Sequence, residues 1–139
     1  MNDIEERKNA LREEFGYFGS PEERFEYIIS KTKGAEPLCE SLKTEQYLVR
    51  GCVSNLWLVP EIREGKCVFK ADADSVITKG VARLVCDMYS GLSPRGVLDF
   101  DCEFLSEIGI SQYLSPNRRN GLSKLCEKIA DFAKKNLEK

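Results

Sequence analysis

Val53 to Ala71 reads VSNLWLVPEIREGKCVFKA, and the way this stretch folds decides the architecture. From Val53 to Ile62 the side chains are mostly apolar, the pattern of an extended strand. Arg63-Glu64-Gly65-Lys66 then places a glycine in a short charged break, which suits a tight hairpin turn. Cys67, Phe69 and Ala71 recur at every second position, so a second, antiparallel strand is expected with these three side chains pointing inward. Trp57, flanked by Leu56 and Leu58, is expected to anchor the core.

On either side of this hairpin the pattern is helical. Residues 3 to 14 put Ile4, Leu11 and Phe15 on one side of a charged helix that ends at Gly16 and the Gly19-Ser20-Pro21 break. Ser20 caps a second helix with Pro21 in its first position and an apolar stripe of Phe25, Ile28 and Ile29 running up to Gly34. Residues 35 to 47 read as a loop. Asp72-Ala73-Asp74-Ser75 offers several caps for a helix bearing Val76, Ile77, Val81, Leu84, Val85 and Met88, which Ser90-Gly91 ends. Ser93-Pro94 opens a short turn, Asp99 or Asp101 caps a segment with Phe104, Leu105 and Ile108, and Gly109 closes it. A last helix runs from Ser115-Pro116 to about Leu137 on a stripe of Leu122, Leu125, Ile129 and Phe132. A small antiparallel sheet with helices packed around it is an α+β arrangement, and 139 residues with 42% hydrophobic content suit one domain over 1–139.

Composition removes several classes of function. The 23 acidic and 21 basic side chains are interspersed and leave a net charge of −2, so no basic field exists to hold nucleic acid. The acidic N-terminus and the lack of a long apolar run predict a soluble, cytoplasmic protein without a membrane partner. There is no histidine, which excludes histidine-based triads and histidine metal sites. Six cysteines, at 39, 52, 67, 86, 102 and 126, are never closer than 13 positions, so no CxxC motif and no local metal knuckle exists; no metal is expected, and free thiols are the favoured state.

Most free cysteines are small core residues. Cys67, Cys86 and Cys126 fall at core spacing, and Cys102, near a helix start, is a weak second candidate for a reactive thiol. Cys52 differs. Gly51 before it permits close approach of another chain, Arg50 places a cation nearby, and the thiol precedes the strand. On these features alone a reactive and a structural Cys52 stand about even. Arg118 and Arg119 begin the last helix against its macrodipole, a placement that suits a partner's carboxylate or a sulfur anion as well as solvent.

The segments RGCVSNLW (50–57), KADADS (70–75) and IGISQYLSPNRRNGL (108–122) together resemble the SufE family of sulfur acceptor proteins of iron–sulfur cluster assembly, which includes CsdE. The resemblance spans roughly residues 15 to 135. It implies an α+β fold similar to the IscU scaffolds, with Cys52 as the acceptor. Gly51, Ser54 and Trp57 match the first motif, and Arg118, Asn120 and Gly121 match the last; Tyr113 stands where family members often carry histidine. It further implies a PLP-dependent cysteine desulfurase of SufS or CsdA type as sulfur donor and activated partner, and a SufBCD-like cluster scaffold as recipient. The PLP belongs to the partner, and the only group expected on this chain is a covalent persulfide on Cys52. Arg50, Gly51, Arg118 and Arg119 are the expected partner contacts. The chain is then a transpersulfidase-like carrier rather than a stand-alone enzyme; the alternatives are an adaptor that activates the desulfurase without carrying sulfur and, third, an IscU-like scaffold.

Overall fold

Glu64 and Gly65 form the hairpin turn, both with positive φ (51° and 79°). Two left-handed residues twist in the sense of the strands they join. They set the register of β1 (Leu56–Arg63) on β2 (Lys66–Ala73), from Arg63 opposite Lys66 to Leu56 opposite Ala73. The structure, a computed structural model, describes residues 3–32, 38–50 and 55–137. The expected strand start at Val53 and the helix stop at Gly34 therefore lie outside the described residues. Among the described residues the sheet is two-stranded. Pro60 is accommodated because β1 is an edge strand.

Among the described residues six α-helices pack around the hairpin: α1 (Asp3–Gly16), α2 (Pro21–Thr32), α3 (Val76–Tyr89), α4 (Pro94–Asp99), α5 (Phe104–Glu107) and α6 (Pro116–Asn136). Four begin at a serine whose Oγ accepts a backbone N–H one turn on: Ser20 from Glu23, Ser75 from Thr78, Ser93 from Gly96 and Ser115 from Arg118. Each cap satisfies one of the N–H groups that a helix start leaves without a partner. Gly109, at φ 77°, closes the turn after α5.

The inner face of the hairpin buries Leu56, Leu58, Cys67, Phe69, Ala71 and Ala73. Helix α3 lies across β2, with α2 and α6 packed against it, and α4 rests on α6. Gly80 lets α2 approach α3, since a Cβ there would lie 2.7 Å from Ile28 Cγ2. The free edge of β2 is covered by the chain leaving α3. Cys67 N–H donates to Leu92 O (2.8 Å), Gly91 N–H to Cys67 O (2.7 Å) and Phe69 N–H to Ser90 Oγ (2.9 Å). Arg7 donates to the Met88 and Ser90 carbonyls and so ties α1 to the end of α3.

Three expectations are corrected. Trp57 is not a core anchor: alternation along β1 sends Leu56 and Leu58 inward and Trp57 to the opposite face, where it is half-buried. Val76 is 56% exposed, because the first position of α3 points away from the sheet. The thiols are not all free. Cys102, just before α5, is disulfide-bonded to Cys126 in the middle of α6, with Cα atoms 6.5 Å apart. Sequence could not show this, because the pair is 24 residues apart and meets only once α6 folds back over the α4–α5 segment. Cys102 is thereby removed as a candidate for a reactive thiol.

A cross-link over a loop of this size stabilises by roughly 3 kcal/mol. Reduction, or Cys126→Ser, is expected to lower the thermal unfolding midpoint by about 10 °C without loss of helical circular dichroism at 25 °C. An unchanged midpoint would show that the bridge is not part of the folded protein.

Candidate functional site

On the outer face of the hairpin Trp57 sits opposite Asp72 in the register. Asp72 is only 2% exposed, and it is buried by the strap of residues 38–50 that crosses this face in two short 3₁₀ turns, Glu40–Leu42 and Glu45–Tyr47. A buried carboxylate must be fully hydrogen-bonded and compensated in charge. Asp72 Oδ2 accepts the Leu38 N–H (3.1 Å) and lies 3.5 Å from Lys43 Nζ, while Oδ1 accepts the Ala73 N–H (2.9 Å) and lies 3.3 Å from Lys79 Nζ. Lys43 also reaches Glu40 (3.2 Å) and stands 5.6 Å above the Trp57 ring. One carboxylate thus joins β2, α3 and both ends of the first 3₁₀ turn.

Burial alone would raise the Asp72 carboxyl, but the Leu38 and Ala73 N–H groups and the Lys79 ammonium outweigh it and hold the group below its usual range. The stabilisation of an acid with a depressed folded pKa is present above its unfolded value, about 3.9, and is lost as pH falls through the folded value. Asp72→Asn is expected to cost about 2 kcal/mol at pH 7, and the deficit should shrink as the pH is lowered below 4. Chemical denaturation of both proteins from pH 3 to 7 checks this; a deficit independent of pH would contradict an ionised Asp72.

Beyond the 3₁₀ turns the strap closes on β1. Leu48 forms an antiparallel bridge with Trp57, and the buried Val49 donates its N–H to Leu56 O at 2.8 Å. The backbone at the two ends of residues 51–54 is therefore held together. Gly51 and Cys52, with Ser54, lie outside the described residues. On the far side, Asn55 O accepts the Asp74 N–H (3.1 Å), which fastens the return to the start of α3. Leu56, Thr78 at the start of α3 and Arg118 at the start of α6 line one small apolar cleft. The structure thus brings Arg118 beside Leu56, with the N-terminal turns of α3 and α6 at the same end of the molecule.

The other sequence candidates divide. Arg50 is exposed and pairs with Glu45 at 3.2 Å, an exposed ion pair of little energetic value. Arg118 and Arg119 are exposed at the start of α6, and neither makes an ion pair among the described residues. Asn120 is likewise exposed, and Gly121 is buried against the core.

Two residues were not singled out by the sequence. Asp72 was only one of several possible helix caps, and its place between Ala71 and Ala73 gave the single hint that it faces outward under cover. Cys39 is exposed, with Sγ 3.2 Å from Ser41 Oγ. Hydrogen bonds from the Ser41 hydroxyl and N–H hold its thiol below the usual range. Burial pushes Cys67 up and Cys86 up to about 12. Iodoacetamide at neutral pH is accordingly expected to label Cys39 at least about tenfold faster than Cys67 or Cys86 in the folded protein, read by peptide mass spectrometry; equal rates would contradict the described burial.

Cys39 also borders a cavity of about 500 Å³ between α2, α3 and the strap, which none of Val49, Arg50, Asn55 or Leu56 lines. Among the described residues no group of three or more His, Cys, Asp or Glu side chains converges to hold a metal ion. Among them, too, no helix is long and apolar enough to cross a membrane.

Comparison with known proteins agrees with this architecture. The family model described as "SufE: Fe-S metabolism associated domain" matches residues 9–133. An uncharacterized SufE-like protein of Synechocystis sp. is 29% identical over 109 residues, which cover 78% of this chain and 69% of that protein. SufE-like protein 1, chloroplastic/mitochondrial, of Arabidopsis thaliana is 36% identical over 126 residues; the match covers 88% of this chain and only 34% of that relative's length. The solution structure of a hypothetical protein from Thermus thermophilus has the same fold, with a TM-score of 0.72 at 18% identity over 96% of this chain and 97% of that one.

Proposed function

The chain belongs to the SufE family, a family associated with Fe–S metabolism, and on that premise we propose that it accepts sulfur on Cys52 from a cysteine desulfurase and passes it to a cluster scaffold. The step is a thiol–persulfide exchange. The Cys52 thiolate attacks the outer, sulfane sulfur of the desulfurase persulfide; the new S–S bond forms as the old one breaks, and the desulfurase thiolate leaves. Nothing is oxidised or reduced overall. The donor's PLP generates that persulfide on the donor, so the acceptor needs only a presentable thiolate and a docking face.

The observation that carries this reading is the pairing of the backbone that flanks residues 51–54. The Val49 N–H to Leu56 O bond and the Leu48–Trp57 bridge join the flanking chain on its two sides, and Arg118 with the starts of α3 and α6 lies beside Leu56. Positive helix ends and a guanidinium favour a thiolate or a persulfide anion brought near them. Arg50, Arg118 and Arg119 are exposed cations that would suit an acidic rim on the donor.

The test is incubation with a PLP-dependent cysteine desulfurase and cysteine, followed by mapping of persulfides by mass spectrometry. A sulfur adduct on the Cys52 peptide is expected, and Cys52→Ser should lower both sulfur transfer and stimulation of the desulfurase by about tenfold or more. Full stimulation by Cys52→Ser would instead make the protein a non-carrying activator, and an unmodified Cys52 would remove the carrier reading altogether.

A further inference from the structure

The strap of residues 38–50 buries Leu38 and Val49, the latter within the hydrophobic core, and leads toward residue 52. Among the described residues two polar attachments also hold it. Near Cys52 the attachment is the Val49 N–H to Leu56 O bond with the Leu48 bridge. At the other end it is the Asp72 carboxylate, which receives the Leu38 N–H and faces Lys43. Between them Lys43 lies over the half-buried Trp57 ring, and Trp57 is itself the bridge partner of Leu48. Displacing Lys43 therefore acts on the residue against which the near attachment is built. Asp72 would keep Lys79 and both backbone N–H donors, so it does not depend on Lys43 for its satisfaction.

We propose that Asp72 and Lys43 are positioning residues for sulfur acceptance: acting through Trp57 and Leu48, they set the pose of the strap and thereby the geometry in which residue 52 meets the donor persulfide. The proposal rests on the reading of Cys52 as the acceptor. The effect of both residues is on orientation, and small misplacements of a reacting group carry large rate penalties. Docking on the donor depends on other groups, Arg118 and Arg119 among them, so loss of the clamp should appear in the rate of transfer at saturation rather than in the concentration needed to reach it.

Lys43→Met and Lys43→Arg test this, with the full chain as acceptor in titrations against a cysteine desulfurase. For Lys43→Met the transfer rate at saturating acceptor should fall about tenfold, while the half-saturating concentration changes by less than about twofold. Lys43→Arg, which keeps a cation over the ring, should recover most of the rate. Amide exchange gives a readout independent of sulfur chemistry: the Val49 N–H should exchange about tenfold faster in Lys43→Met, with the Leu38, Cys67 and Gly91 N–H groups unchanged. Faster strap exchange with wild-type transfer overturns the proposal alone, as does a defect confined to half-saturation. Transfer that persists in Cys52→Ser overturns the acceptor reading and the proposal with it, and leaves the exchange result standing as a fact about the strap.

Discussion

The interaction on which the rest of this structure depends is the burial of the Asp72 carboxylate. A charged group at 2% exposure is tolerated only because two backbone N–H donors and two ammonium groups converge on it. These partners come from three places, the strap, β2 itself and α3. Satisfying one carboxylate therefore forces the strap onto the outer face of the hairpin and holds the first turns of α3 close to the sheet. The hydrophobic core, from Phe15 and Ile28 through Phe69, Leu105 and Ile129, packs on the other face and gives the hairpin its rigidity.

With the strap in place, the end of the molecule bearing the family motifs acquires its geometry. On either side of residues 51–54 the chain is paired through Val49 and Leu56, Asn55 is fastened to Asp74 before α3, and the start of α6 borders Leu56. The family's link to Fe–S metabolism gives this end its proposed work. A sulfur acceptor must present one thiolate to a partner and keep the anion that results; converging helix starts and an exposed arginine are inexpensive ways to favour that anion. The Cys102–Cys126 bridge contributes elsewhere, locking α6 against the α4–α5 segment and so steadying the helix that carries Arg118.

Periodicity made the hairpin, its turn and the long helices legible, because period two and period 3.6 are written locally. The Ser20 cap and the Ser-Pro starts at 93–94 and 115–116 were legible for the same reason, whereas Ser75 was one of several possible caps. What was not legible depends on contacts between distant segments. Trp57 looked like core from its neighbours, but the alternation that buries Leu56 and Leu58 necessarily turns it outward. The disulfide joins residues 24 apart with no local spacing to mark it. Asp72 resembled a helix cap, since the strap that buries it has no regular pattern and its partners Leu38, Lys43 and Lys79 are scattered. At the site, Arg118 was readable as a motif residue, whereas its place beside Leu56 emerges only from the packing of α6 on the sheet.

The central physical claim is that an ionised carboxylate lies under the strap. The most direct measurement is titration of the Asp72 side-chain carboxyl carbon by NMR in the folded protein. Ionised Asp72 at neutral pH, with a midpoint clearly below the ordinary value of about 3.9, is the result expected of a group held by Leu38, Ala73, Lys43 and Lys79. A midpoint at or above that value would mean that burial outweighs its partners, and that the strap is held by something else.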